Sequence, residues 1–280
     1  MPGREAGRAR RRPWLVALVV ACVAVLVGVV YLTVGYVLHG HPGPKSVSSA
    51  IRTFKARGAS TAGGDLAYAL PAEGVYELHG QGTERISFPP NSQRDGTVMP
   101  ASVTYISDGC WRWHVDYNVA HWEEYDFCPD ARDLLLAADR NSQSWDFGAV
   151  KIDNLARFDC PSDATVLPGD PNLPQNLTWS CAGTNTAVPG PSTAKTKARI
   201  VGVVDLRIGG TTVPAVHERQ QVRLTGGQKG TIDEDWWFTV SSGLPVRMER
   251  HITILTKSPI GSITYHEAGS WQMASLQPRT

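Results

Sequence analysis

Between Trp14 and Leu38 the chain runs for twenty-five residues without a charged side chain, and Arg4, Arg8, Arg10, Arg11 and Arg12 stand just ahead of it. As a helix rising ~1.5 Å per residue, the run is about 37 Å long, enough to cross a ~30 Å hydrocarbon core with some tilt. Residues 1–13 carry five Arg against Glu5 alone, whereas the far flank holds only Lys45 and Arg52 in its first fifteen residues. Basic flanks stay in the cytoplasm, so the N-terminus is expected inside and the C-terminal domain outside. Trp14, Tyr31 and Tyr36 lie where aromatic belts sit at the two interfaces.

Two other fates of the run were weighed. A cleaved signal peptide has a shorter apolar core that ends at a small-residue site, and this run continues past every such Ala. Val19-Val20-Ala21-Cys22 loosely resembles a lipidation signal, but a polar tether should follow the cysteine, and sixteen more uncharged residues do. A retained single-pass anchor is the expectation. The chain then divides into a basic cytoplasmic tail (1–13), a transmembrane helix (14–38), a Pro/Gly linker (39–45) and an extracytoplasmic domain (46–280).

The tail holds +4 of the chain's net +1, so the remainder carries about −3. Phosphate binding needs a concentrated basic surface, which argues against a nucleic-acid partner. Outside the anchor stand Cys110, Cys128, Cys160 and Cys181. An even count in an exterior domain points to disulfides, and four cysteines allow three pairings. Cys110 and Cys128 flank a hairpin pattern whose turn falls near Asn118-Val119-Ala120, and Cys160 and Cys181 flank the loop around Pro168-Gly169. The pairs expected are therefore 110–128 and 160–181. No Cys-x-x-Cys pair is present, so neither a zinc site nor another metal or cofactor is expected.

Val47, Ala50, Ile51 and Phe54 follow Ser46 at helical spacing, which predicts one short helix ending near Gly58. From Val75 the apolar period becomes two. Tyr76, Leu78, Ile86 and Phe88 share a strand face, with Gly80 and Gly82 marking a bend or a close approach. A hairpin is expected at Asp108-Gly109, with strands before it (103–106), after it (111–119) and following in turn (122–127), and a brief helix after Asp130 through Leu134, Leu135 and Leu136. Five consecutive strands are predicted at 198–208, 213–224, 236–240, 245–255 and 262–273. Val246, Met248, Ile252 and Ile254 face one way, as do Ile263, Tyr265, Trp271 and Met273.

No nucleophile elbow, zinc helix, P-loop or dinucleotide fingerprint occurs, and no enzyme activity is expected. Asp233, Glu234 and Asp235 read as a solvated turn. With His266, Asp233 and Asp235 supply the alternative, a cell-envelope hydrolase whose site is assembled from scattered residues. Trp111, Trp113, Val115, Tyr117 and Val119 alternate along one strand. Core packing is the default use of such a face. If the sheet curves around a cavity, Trp111, Trp113 and Tyr117, with Trp236 and Phe238, are the candidate ligand-binding residues.

Gly74-Val75-Tyr76-Glu77-Leu78, Gly109-Cys110-Trp111 and Gly243-Leu244-Pro245-Val246-Arg247 resemble segments of uncharacterised single-pass membrane proteins of actinobacteria. More distantly, the long strands with Trp236-Trp237 ahead of a Gly-Leu-Pro-Val-Arg hairpin resemble the half-barrel of periplasmic lipoprotein carriers and mycobacterial lipid-binding lipoproteins. That resemblance implies acyl chains held on a concave sheet. The fold expected is mainly β: a transmembrane helix, then a large, curved, half-barrel-like antiparallel sheet with one or two short helices. The function expected is non-catalytic binding of a lipid or other apolar cell-envelope component.

Overall fold

The computed structural model describes residues 13–38, 41–57, 69–107, 109–130, 132–148, 150–170, 175–258 and 261–280. The chain forms two compact units, one of residues 1–40 with 146–151 and the other of 41–145 with 152–280. In the first, helix α1 spans Pro13–Leu38, and its described side chains are exposed. Among the described residues no helix is long and apolar enough to cross a membrane, so the expected crossing rests on the sequence.

The second unit is β-rich. Its one helix among the described residues, α2 (Val47–Arg57), starts where Ser46 accepts backbone N–H bonds from Ser49 and Ala50, and it lies beside β1 and β3. Fourteen strands follow among the described residues: β1 (Gly74–Ser87), β2 (Pro90–Arg94), β3 (Val98–Tyr105), β4 (Trp111–Asn118), β5 (His121–Asp130), β6 (Asp133–Asp146), β7 (Lys151–Asp159), β8 (Thr165–Leu167), β9 (Asn176–Asn185), β10 (Val188–Ile208), β11 (Thr211–Gly226), β12 (Gln228–Thr239), β13 (Pro245–Ser258) and β14 (Gly261–Met273). Twelve of them pair in a ring, and short β2 and β8 pair beside it.

The expected open half-barrel is thus a closed one. β14 returns to β1 and pairs antiparallel from Leu78↔Met273 to Ile86↔Tyr265. Glycine permits this seam. A Cβ on Gly80 would stand 2.2 Å from the Ser270 carbonyl oxygen, and one on Gly82 would stand 1.9 Å from Asp95 Oδ2. Gly82 lies directly opposite Gly269, and the Asp95 carboxylate fills the space both leave.

The helix expected after Asp130 is instead the start of β6. Leu134 and Leu135 pair with Pro129 and Cys128, and Leu136 with Phe127, so cross-strand pairing overrides the helical look of three leucines. The acidic trio is no turn either. β12 begins at Gln228, so Asp233 and Asp235 point outward in mid-strand while Glu234 is buried. Both disulfides are those expected, Cys110–Cys128 and Cys160–Cys181. Residues 41–46 have no regular structure, and residues 39–40 of the expected 39–45 linker lie outside the described residues.

Candidate functional site: a cavity above a buried acidic belt

Strand alternation gives the barrel an inner face that is apolar at both ends and charged across its middle. Charges interrupt several of the inner rows: Met248-x-Arg250-x-Ile252, Tyr265-x-Glu267-x-Gly269, Ile232-x-Glu234-x-Trp236, His121-x-Glu123-x-Tyr125. Register lines the interruptions up. Gln220 lies opposite Glu234, Glu234 opposite Arg250, Arg250 opposite Gly269, and Gly269 opposite Gly82.

Arg250 is the hub. Its Nη1 donates to Glu123 Oε2 at 2.5 Å, its Nη2 pairs with Glu267, and its guanidinium lies 4.3 Å above the Tyr117 ring. Glu123 also accepts bonds from Tyr117, Tyr125 and Asn141. Burial would raise its pKa, but Arg250 and His121, whose Nε2 lies 3.6 Å from Glu123 Oε1, hold it far below the usual carboxylate range. His121 Nδ1 sits 2.8 Å from Glu84 Oε1, whose partner oxygen accepts from Gln93 at 2.9 Å. Burial would lower the His121 pKa, yet Glu84 and the neighbouring Glu123 and Glu267 raise it well above its ordinary value.

Burial outweighs the partners of several other acids. Burial pushes Glu218 up to about 8. It pushes Glu234 and Glu267 up to about 7, although Arg250 opposes the rise. Asp139 is raised well above its usual value by burial and by the charges of Glu123 and Glu234. Glu84, His121 and Glu267 bring ligand-type atoms within 4.8 Å of one another. All three are already engaged by hydrogen bonds or ion pairs, and Arg250 sets a positive charge against Glu267. The trio fits a closed ionic network better than a metal centre.

Between the belt and one end of the barrel lies a cavity of about 450 Å³. Its walls are apolar, among them Val222, Leu224, Ile232, Ile252, Ile254 and Trp145, and it reaches the rim at Phe88, which is 49 % exposed. Glu123, Asp139, Glu234 and Glu267 contribute to its lining, as do Asn154 and Asn185, whereas Arg250 does not. Asn154 Oδ1 and Asn185 Nδ2 are buried without hydrogen-bond partners.

The aromatic residues singled out from the sequence lie on the other side of the belt. Trp111 packs 4.8 Å from Phe127, Trp113 6.0 Å from Trp271, and Trp236 5.8 Å from Phe238. Tyr117 is held between Arg250 and Glu123. All five are buried and none lines the cavity, whose aromatic wall is Tyr125, Trp145, Phe158, Trp179 and Tyr265. Alternation assigned the right face but not the height along the barrel. The residues missed, Glu123, Glu234, Arg250 and Glu267, carried a signal: a charge on an otherwise apolar period-two row.

The hydrolase alternative needs Asp233, Asp235 and His266 to converge, and they lie on the outer wall. Asp235 pairs there with His217 and Arg219, Asp233 with Gln221, and His266 with Thr253.

No protein-family model matches this chain, and neither does any curated protein. The expected likeness to actinobacterial single-pass membrane proteins finds no support there. Among solved structures the chain is similar to the hypothetical lipoprotein YmcC from Escherichia coli (K12), with 14% identity and a TM-score of 0.33, over 82% of this chain and 98% of that one. The barrel itself is defined by its own strand pairing.

Proposed function

We propose that this protein is a membrane-anchored, extracytoplasmic binding protein that holds one apolar small molecule of the cell envelope inside its barrel and performs no chemistry on it. The observation that carries this reading is the apolar-walled cavity of about 450 Å³. That volume falls within the ~300–1,000 Å³ range of small-molecule sites, which combine apolar walls with a few fixed polar groups. The belt's charged groups are tied largely to one another, which suits a rigid floor better than a reacting centre. The arginines ahead of α1 favour an N-terminus inside, and two disulfides accord with an oxidising exterior.

Native mass spectrometry of the full chain tests this. A single noncovalent apolar adduct is expected, and Ala194→Trp, which fills the cavity from β10, should abolish it. An adduct that survives Ala194→Trp, or a wild-type chain that takes up no apolar molecule under any loading condition, would sink the proposal.

A further inference from the structure

The cavity floor is charged in one sense. Four of the carboxyl-bearing side chains that line it, Glu123, Asp139, Glu234 and Glu267, meet no lysine or arginine among its lining residues. The nearby cation, Arg250, is 1 % exposed and already engaged by Glu123 and Glu267. An anionic headgroup would therefore find acids and no available positive charge.

The opposite holds for a cation. Glu234 is 9 % exposed and accepts one bond, from Trp236 Nε1 at 3.0 Å through Oε2. Asp139, on the neighbouring wall, has no hydrogen bond among the described residues, and its open side faces the cavity. Asn154 leaves its side-chain oxygen buried and unpartnered in the same lining. A buried acceptor without a donor costs ~1–3 kcal/mol, so an arrangement of several around one empty volume points to a ligand that supplies donors. Tyr125, Trp145 and Tyr265 add aromatic rings, to which cations are attracted.

Resting on the cavity reading above, we propose that the ligand is a cationic amphiphile: an apolar body along Val222, Ile232 and Ile252, and a protonated amine seated against Asp139, Glu234 and Glu267. In the empty barrel, burial keeps Glu234 and Glu267 up to about 7 and Asp139 higher than usual. Part of that negative charge is thereby titrated away in the empty barrel, which lowers the cost of burying it. An ammonium group stabilises their ionised forms, so its entry releases protons.

The test uses the full chain in phosphatidylcholine nanodiscs, with empty nanodiscs as the partition control. Equilibrium dialysis at pH 7 compares three probes of one chain length: octylamine, 1-octanol and octanoate. Octylamine should bind one per barrel and about tenfold or more tighter than either of the others. Asp139→Asn combined with Glu234→Gln should remove that preference while 1-octanol binding persists. Near-UV circular dichroism confirms that the variant is folded, and the Glu234→Gln single variant serves if the pair is not. Equal affinity for the three probes, or a preference that survives in the variant, overturns the cationic inference and leaves the cavity reading standing. Failure of all three probes to bind overturns the cavity reading itself.

Discussion

Glu218 sits at 0 % exposure beside Trp236, with one oxygen accepting from Gln220 at 2.9 Å and the other unpartnered. Its folded pKa, about 8, lies above its ordinary 4.5. The folded state therefore binds the proton more tightly, and this contribution to stability is whole below about 4.5 and lost as pH rises through about 8. A pKa unit is worth ~1.4 kcal/mol, so the cost at pH 8 is on the order of 4 kcal/mol. Glu218→Gln keeps the shape and removes the ionisation. Its denaturation midpoint should match wild type at pH 4 and exceed it clearly at pH 8; an equal offset at both pH values would refute the assignment. At the same scale, Arg250 and Glu267 show where sequence stops being informative. Both are visible as charges breaking an apolar row, but which partner each meets depends on residues 127 and 17 positions away, Glu123 for the first and Arg250 for the second.

Individual elements were the most legible part of the molecule. β11, β13 and β14 fall close to their predicted spans because turn residues such as Gly209-Gly210, and a steady period of two, bound them on both sides. Strands β6, β7 and β9 and the first half of β10 escaped. Their inner rows mix Asp139, Asn141, Gln143, Asn154, Asn185 and Thr196 with apolar residues, because they wall a cavity and cross the belt instead of filling a dry core. The cysteines were readable for the opposite reason, since hairpin geometry brings each pair together locally. Cys160–Cys181 closes a loop of about twenty residues at the base of the cavity. Chain-entropy arguments give such a link roughly 3 kcal/mol. Replacing both cysteines by Ser should lower unfolding stability by about that much with the denaturant slope kept, as read by urea titration; a loss well below 1 kcal/mol would show that the strands hold β7 against β9 unaided.

At the scale of the whole molecule, closure decides the function. An open sheet would expose the belt to water, where an exposed ion pair contributes only ~0–1 kcal/mol, whereas the ring excludes solvent and makes those pairs matter. Gly80 and Gly82, which in sequence mark a bend or a close approach, stand at the seam. The close approach is to β14, nearly two hundred residues on, and no local pattern specifies that pairing. Gly80→Val places side-chain atoms where the Ser270 carbonyl and the Met99 methyl now lie. Hydrogen exchange should then show β1 and β14 losing protection before β10 and β11 do, and uniform loss across the barrel would contradict a seam-specific role.

A ring also has no ends. Apart from short β2 and β8, each strand of the barrel has a neighbour on both sides over part of its length among the described residues, and the second half of β10, residues 201–208, pairs with β11 alone. Strand addition by a partner, or stacking of copies edge to edge, is confined to those open stretches. Whatever meets this protein from outside has to recognise side chains on a curved wall, and whatever it carries has to pass the rim.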